Sequence, residues 1–277
     1  MYDPLHDKSP GENEPYPESY WSKVAGKSPE HDGVLKTDKQ VDVAIVGAGY
    51  TGLSCALHLA REHGIKAHVF EANQAAWGCS GRNAGFILKS SGRKTFSEMQ
   101  RQWGEEVMRG IYDEMCAGVD TVNALIAEGI DCDVQQKGYI KVAHKASKMK
   151  ELVAQAQLQR QMFGYDIEII ERDALRMQFM DDHNAYGAIR YQDGYGLNPL
   201  KLAFGYQRLA QEAGVKVHCS TPILSISEDN GKQRLSTPHS VVTADKVVLA
   251  TNGYTPKGFH HLVNNRTLPV LSQIIVT

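Results

Sequence analysis

Three glycines early in the chain have the spacing of a dinucleotide-binding turn. Gly47, Gly49 and Gly52 follow an apolar run and open a helical pattern. In such a turn the glycines allow a tight bend, close approach of the backbone to a pyrophosphate, and close packing of the helix on the strand. The N–H groups at the start of the helix, including those of Tyr50 and Thr51, would then point at the phosphates.

An acidic residue follows at the distance that a ribose contact requires. A second apolar strand pattern, at 67–70, ends at Glu71, about twenty residues after the glycines. A carboxylate there accepts hydrogen bonds from a ribose hydroxyl, and Ala72 would lie beside it. The alternative is a plain strand–helix–strand unit with a surface glutamate. Because glycines, helix, strand and carboxylate occur together, the pattern favours a dinucleotide site.

A second glycine-rich polar loop, from Gly78 to Gly85, indicates a cofactor longer than a nicotinamide dinucleotide. Its backbone amides and the Arg82 guanidinium would neutralise the pyrophosphate and hold a ribityl chain. The candidate residues are Ser80, Gly81, Arg82 and Asn83. An ordinary flexible loop is the alternative for this stretch alone.

Cys79 is interpreted as a small side chain in a tight loop, with flavin attachment as the alternative.

These motifs together resemble the amino-terminal half of the FAD-dependent D-amino-acid oxidase superfamily. The similar stretches are Val-Asp-Val-Ala-Ile-Val-Gly-Ala-Gly-Tyr-Thr-Gly-Leu-Ser at 41–54, Val-Phe-Glu-Ala at 69–72 and Gly-Cys-Ser-Gly-Arg-Asn-Ala-Gly-Phe-Ile at 78–87. The Ser-Gly-Arg-Asn form is most similar to gamma-glutamylputrescine oxidoreductase-type members. The resemblance covers roughly residues 15–277, and it includes a Ser19-Tyr20-Trp21 segment ahead of the first strand.

The resemblance implies FAD as the cofactor and an amine or amino acid as the substrate. The expected reaction is hydride transfer from the carbon bearing the nitrogen to the flavin, with hydrolysis of the imine product. Gamma-glutamylputrescine is the candidate substrate, which would place the enzyme in polyamine catabolism. The resemblance also implies that the backbone at Ile223 meets the adenine, and that Thr251, Asn252 and Gly253 approach the cofactor. It names no catalytic acid or base.

The elements that position these residues predict an α/β fold with an α+β cap. The expected division is an irregular N-terminal arm at 1–38, a discontinuous Rossmann-like FAD-binding domain at 39–130 and 185–264, and a substrate or cap domain at 131–184 and 265–277. The last of these would hold an incomplete antiparallel sheet, with a strand at 269–277.

Local patterns predict three further features of this architecture. The apolar stripe from Phe96 to Ile126 indicates one long helix, or two helices joined near Gly104 or Gly118. Residues 133–144 predict a strand pair that turns at Lys137-Gly138. Asn198 and Pro199 predict the start of a helix, with asparagine as the cap and proline in the first turn.

Composition argues against several classes of partner. The net charge is −2, with 30 basic and 32 acidic residues and no basic face, so nucleic acid is not expected. No apolar run has the length of a membrane span, and the start lacks a signal peptide, so a cytoplasmic location is expected. The five cysteines are scattered without metal-like spacing, and no metal is expected.

Superfamily members continue well beyond the position that matches Thr277. The chain is therefore expected to be a fragment of a working enzyme or a truncated reading frame. A catalytically silent dinucleotide-binding protein is the second hypothesis. Both hypotheses share the glycine turn, so that motif does not discriminate between them.

Overall fold

The computed structural model describes residues 2–3, 6–7, 10–90, 92, 94–264, 266, 268 and 270. Contacts within the chain divide it into two units. The first comprises Met1–Ala84, Ile130–Cys132 and Asn198–Thr277, and the second comprises Gly85–Gly129 and Asp133–Leu197. The strand expected at 269–277 lies outside the described residues except at Val270.

The described residues contain the following helices and strands. The helices are α1 (Tyr20–Val24), α2 (Tyr50–His63), α3 (Phe96–Trp103), α4 (Glu105–Ala127), α5 (Ala146–Phe163), α6 (Arg172–Gln178) and α7 (Pro199–Glu212). The strands are β1 (Lys39–Val46), β2 (His68–Phe70), β3 (Phe86–Ile87), β4 (Tyr139–Val142), β5 (Glu168–Ile170), β6 (Ala188–Tyr191), β7 (Tyr195–Gly196), β8 (Lys216–His218), β9 (Ser225–Asp229), β10 (Lys232–Ser236) and β11 (Val241–Leu249). None of these helices combines the length and the apolar character that a membrane crossing requires.

A six-stranded sheet forms the core of the first unit, in the order β8-β2-β1-β11-β10-β9. β1 lies between β2 and β11 and is parallel to both, with Ala44 opposite His68 on one side and Val247 on the other. Residues 43–46 are all buried, which explains the unbroken apolar run, since a central parallel strand is covered on both faces. This sheet confirms the predicted α/β class.

The antiparallel hairpin of β9 and β10 extends this sheet beyond β11. Its turn is formed by Asn230 and Gly231, whose φ angles are 51° and 76°. Two consecutive residues with positive φ match the right-handed twist of the flanking strands, and Asn-Gly is the pair that adopts this conformation most readily. The hairpin is absent from the sequence-based expectations, although this pair is a strong local signal for it.

The second unit contains a three-stranded antiparallel sheet in the order β4-β6-β5. Leu152 and Ala156 of α5 pack in one cluster with Ile189 of β6. The prediction of a strand pair at 133–144 is wrong in its first half, because only β4 forms. The N–H of Gln135 instead donates to the Gly196 carbonyl (2.9 Å), so this segment bonds beside β7 rather than to β4.

The apolar stripe after the second glycine loop forms two helices, which confirms the alternative of a break at Gly104. That residue has a φ of 87° and caps the N-terminus of α4, whereas Gly118 lies inside α4. Side chains of α3 and α4 pack with α5 in one cluster; its members include Phe96, Met99, Met108, Leu158, Met162 and Phe163. Residues 85–129 therefore group with 133–197, unlike the expected boundary at 130.

A second difference from the expected division concerns 185–197. β6 pairs with both β4 and β5, so this segment groups with the second unit and not with the sheet of the first. The division into an N-terminal arm, a discontinuous FAD-binding domain and a cap domain stays a prediction.

Candidate dinucleotide site

The glycine turn between β1 and α2 has no room for side chains at two of its three glycines. Gly47 has a φ of 106°, and a Cβ on it would lie 2.6 Å from the Ala250 carbonyl oxygen. A Cβ on Gly52 would lie 1.9 Å from the Gly47 carbonyl oxygen, because the helix packs directly on the turn. Cβ atoms in protein structures essentially never lie this close to another heavy atom. The turn therefore requires glycine at both positions.

The N-terminus of α2 faces the second glycine-rich loop. Gly49 is the N-cap residue, and the Leu53 N–H donates to its carbonyl (3.0 Å). The Tyr50 N–H donates to the Ser80 Oγ (3.0 Å), and a Cβ on Gly49 would lie 2.8 Å from that same oxygen. The Ser80 hydroxyl thus lies at the positive end of the helix dipole, where anions are stabilised.

The Glu71 carboxylate joins the two strand ends that form the site. Its Oε2 accepts from the Ala48 N–H (2.8 Å), and its Oε1 accepts from the Asn73 N–H (3.1 Å). Burial raises the pKa of this carboxyl, while the N–H groups of Ala48, Asn73 and Ala72 oppose that shift. A carboxylate has further lone pairs beyond these two bonds, so it retains the capacity to accept from a hydroxyl group.

A cleft in the first unit brings many of the predicted site residues together. The predicted residues that line it are Gly47, Gly49, Glu71, Ala72, Ser80, Ile223, Thr251 and Asn252. They come from the turn after β1, the end of β2, the second glycine loop, the segment after β8, and the turn after β11. Residues far apart in the sequence thus form one concave surface at the strand ends.

The other predicted residues do not line the cleft, and several of them shape the loops around it. Tyr50 donates its hydroxyl to the Pro199 carbonyl (2.6 Å), and the Asn83 Nδ2 donates to the Ser80 carbonyl (3.0 Å). A Cβ on Gly81 would lie 2.3 Å from the Ala76 carbonyl oxygen. The remaining ones are Thr51 and Gly52 in the first turn of α2, Arg82, and Gly253 in the short turn after β11.

Arg82 belongs to the second loop, but its guanidinium packs beside the cleft rather than in its wall. The guanidinium lies over the Trp77 ring, 4.7 Å from the ring centroid, and also donates to the Trp77 carbonyl. Its buried Nε has no hydrogen-bond partner among the described residues. Because Arg82 does not line the cleft, the expectation that its guanidinium neutralises a pyrophosphate stays a prediction.

Sequence reasoning missed much of the cleft wall. The additional lining residues are Pro10, Val46, Phe70, Ala76, Trp77, Gly78, Cys79, Pro222, Ala250, Tyr254, Pro256 and Phe259. Trp77 and Tyr254 pack edge to face with ring centroids 5.7 Å apart, and the Cys79 Sγ donates to the Tyr254 hydroxyl (3.6 Å). Burial raises the pKa of Tyr254 to about 12. Most of these residues adjoin a motif in sequence, but nothing local indicates Pro10.

These observations fit an adenine dinucleotide. The glycines leave the backbone at the helix start uncovered by side chains, Glu71 lies at the adjoining strand end, and the Ser80 hydroxyl lies at the N-terminus of α2. The described residues include no group of three or more His, Cys, Asp or Glu side chains that could hold a metal ion.

Comparison with protein families and curated proteins gives consistent matches. The family model DAO, described as FAD dependent oxidoreductase, matches residues 42–277. The chain is 31% identical over 244 residues to the probable oxidoreductase OrdL of Haemophilus influenzae, which covers 86% of this chain and 56% of that protein. It is 29% identical over 260 residues to gamma-glutamylputrescine oxidoreductase of Escherichia coli, with coverage of 94% and 60%. The chain thus spans little more than half the length of these relatives.

Solved structures share the fold at low sequence identity. Glycine oxidase from Geobacillus kaustophilus matches with a TM-score of 0.60 and 22% identity, over 76% of this chain and 55% of that one. An L-amino acid deaminase from Proteus vulgaris matches with a TM-score of 0.60 and 20% identity, over 81% and 50%.

Proposed function

Because this chain belongs to the DAO family of FAD-dependent oxidoreductases, we propose that it binds FAD in the cleft described above and oxidises a carbon–nitrogen bond. The substrate class is an amine or an amino acid. The observation that carries this proposal is the junction at the strand ends, where Glu71 bonds the Ala48 N–H and Ser80 bonds the Tyr50 N–H. Together these bonds hold both glycine loops against one cleft.

Most of the predicted residues have a role in this proposal. The backbone at residues 47–52 and the Ser80 hydroxyl would receive the pyrophosphate, and Glu71 would accept from a ribose hydroxyl. The backbone at Ile223 would meet the adenine. Small residues at 251–253 would allow the chain to approach the cofactor closely.

FAD, when bound, would supply the acceptor for the hydride equivalent released by the substrate. The residues of this chain would bind the cofactor and orient it: Glu71 would accept from its hydroxyl group, and Arg82 would add positive charge beside the cleft. No side chain of this chain is assigned as a catalytic acid or base.

Gamma-glutamylputrescine is the specific substrate that we favour, and polyamine catabolism is the corresponding role. Support comes from the relative with that name, at 29% identity, and from the Ser-Gly-Arg-Asn form of the second loop. Glycine oxidases and sarcosine oxidase beta subunits are also among the relatives, which supports the broader class of small amines and amino acids. The cytoplasmic location stays a prediction.

The test has two stages on the purified protein. Calorimetric titration with FAD, and with NAD as the matched control, should show binding of FAD only. Anaerobic mixing of the loaded protein with gamma-glutamylputrescine, glycine, sarcosine and D-amino acids should bleach the visible flavin band for at least one of them. Uptake of NAD but not FAD would contradict the proposal at its first stage. FAD binding without reduction by any amine would favour the catalytically silent alternative.

A further inference from the structure

The N-terminal arm is bonded to the same residues that form the candidate dinucleotide site. Asn73 is fully buried and lies at the centre of this connection. Its Oδ1 accepts from the Glu14 N–H (2.8 Å), and its Nδ2 donates to the Pro10 carbonyl (3.2 Å). The N–H of Asn73 donates to Glu71 (3.1 Å). One side chain therefore fixes the arm two residues away from the carboxylate proposed to bind ribose.

Asn73 also holds the opposite side of the cleft. Its carbonyl accepts from the Ser220 N–H (2.9 Å), and the Glu71 carbonyl accepts from the Thr221 N–H (2.7 Å). Ser220 in turn donates its hydroxyl to the Asn13 side chain. The arm, the end of β2 and the segment leading to Ile223 thus share one network of hydrogen bonds.

Three aromatic residues attach the arm to the second glycine loop and the residues before it. The Tyr16 hydroxyl donates to the Ala75 carbonyl (2.6 Å), and the Trp77 Nε1 donates to the Pro15 carbonyl (2.9 Å). The Trp21 Nε1 donates to the Asn83 carbonyl (2.9 Å). Tyr16 and Trp21 also pack on a buried cluster that includes Ala76, Leu200 and Phe204.

Pro10 shows that the arm reaches the cleft itself, because it is one of the lining residues, together with Glu71 and Ile223. The arm has little regular structure, since its helix α1 is only five residues long. Glu12, Glu14 and Glu18 are exposed. Such a segment stays in place through its specific contacts rather than through a core of its own.

We propose that residues 10–21 dock beside the FAD site and hold Pro10 in its wall, and that Asn73 is the positioning residue that couples this wall to Glu71. The inference rests on the proposed FAD binding. In this arrangement the docked arm slows release of the cofactor. By thermodynamic linkage, bound FAD must favour the docked arm by the same factor that the docked arm favours FAD.

The first experiment measures this linkage through the arm. A glutamate-specific protease would be applied to the full chain with and without saturating FAD, and cleavage after Glu12 and Glu18 would be followed by mass spectrometry. We expect FAD to slow cleavage about tenfold, within the usual range of coupling between sites. Cleavage at a rate that FAD does not change would overturn the inference.

The second experiment compares variants of the arm contacts. Tyr16→Phe and Trp21→Phe, singly and combined, each delete one bond of the arm, and Asn73→Ala deletes two. Tyr20→Phe is the matched control, because Tyr20 is 55% exposed on the same arm. We expect the combined variant to release FAD about tenfold faster than wild type, and Tyr20→Phe to stay within about twofold.

A further measurement distinguishes a role of these contacts in FAD binding from a role in the overall stability of the protein. If these contacts served only folding, the variants would lower the unfolding temperature equally with and without FAD. Under the proposal, the rise in unfolding temperature produced by FAD becomes smaller in Asn73→Ala and in the combined variant. Unchanged FAD release in every variant would refute the proposed wall. Absence of FAD binding by the wild type would refute the proposed function, and the wall with it.

Discussion

At the scale of single residues, Glu71 carries the connection between the glycine turn and the neighbouring strand. Two backbone N–H groups from different segments reach its two oxygens, at 2.8 Å from Ala48 and 3.1 Å from Asn73. A carboxylate can accept with both of its oxygens, whereas a carboxamide has one acceptor oxygen and one donor nitrogen. The sequence predicted the position of Glu71 from its distance to the glycines, but not its part in holding the protein together.

Replacement of this residue gives a direct prediction. Glu71→Gln should cost about 1–3 kcal/mol of stability, because the new NH₂ group must face one of the two backbone N–H groups. FAD affinity should fall moderately. Urea unfolding and FAD titration measure the two effects, and Glu62→Gln on the exposed surface of α2 is the control. Equal losses in both variants would show that the Glu71 contacts have no special role.

The contribution of Glu71 to stability should change with pH in a defined direction. Burial raises the folded-state pKa of Glu71 above its unfolded value. Its contribution to stability is therefore present below the unfolded pKa and is lost as the pH rises through the folded pKa. Glu71→Gln should lack this loss. Denaturation curves of both proteins across the acid range would show it as a smaller difference between them at higher pH.

The glycines give a second prediction at this scale. Gly49→Leu should abolish FAD retention, because the side chain would block the approach of the backbone to the pyrophosphate, and its Cβ would lie 2.8 Å from the Ser80 Oγ. Gly110→Ala is the matched control, since no atom lies within 4 Å of a Cβ at this position inside α4. That control should be stabilised by about 0.5–1 kcal/mol. The ratio of flavin to protein absorbance after gel filtration reports the outcome.

At the scale of elements, the edge of the large sheet contains a pair of histidines. The His68 Nδ1 and the His218 Nε2 are 3.1 Å apart on the paired strands β2 and β8, and both rings stack near Phe70. Burial, with the adjacent His218, lowers the pKa of His68 to about 4. Burial also lowers the pKa of His218. The charges of Asp32, Lys39 and Lys216 also affect the pKa values of the two histidines.

This pair predicts a loss of stability in mild acid. Because the unfolded chain binds protons more tightly than the buried pair, stability is present above the ordinary histidine pKa and falls as the pH drops towards about 4. His68→Phe should flatten this dependence, whereas His144→Gln, an exposed control, should not. The measurement is urea unfolding of the wild type and both variants at several pH values between 7 and 5. A profile that His68→Phe leaves unchanged would contradict this account.

The N-terminus of α7 gives a further prediction for an element. The Asn198 Oδ1 accepts from the N–H groups of Leu200 (3.1 Å) and Lys201 (3.2 Å), as its position before Pro199 predicted. Asn198→Ala should destabilise the protein by about 1–2 kcal/mol. Lys145→Ala, at the N-cap of α5 where no side-chain cap bond forms, should be nearly neutral. Chemical denaturation of both variants tests this difference.

Local motifs explain which elements the sequence predicted. The β1–α2–β2 unit was predictable because its glycines, apolar strands and helix pattern are neighbours in the chain. The segment 133–138 was wrongly assigned as a strand, since its bonding partner, Gly196, is far away in sequence. The contacts of the arm with residues 73–83 join positions 59 to 63 apart, and the contact between Asn13 and Ser220 spans 207, so no local pattern indicates them.

At the scale of the whole molecule, FAD binding should change both the free energy of unfolding and the hydrogen exchange of backbone amides. Free FAD at about one hundred times its dissociation constant should stabilise the folded state by about 2.7 kcal/mol. Hydrogen exchange should slow at the amides of residues 48–52 and 78–83, which surround the cleft. The control is adenosine alone, which lacks the pyrophosphate and should protect the second loop less. Equal protection by both ligands would contradict the proposed phosphate contacts.

The pairing of β1 with β11 also has a consequence for synthesis on the ribosome. Lys39 pairs with Val242, so about 200 residues must be translated between the two partners. At about 5–20 residues per second, the nascent β1 waits roughly 10–40 s with one apolar edge uncovered. During this interval the uncovered edge exposes the chain to aggregation, which is the hazard that chaperones limit. The strand that organises the finished sheet is thus among the most vulnerable parts of the growing polypeptide.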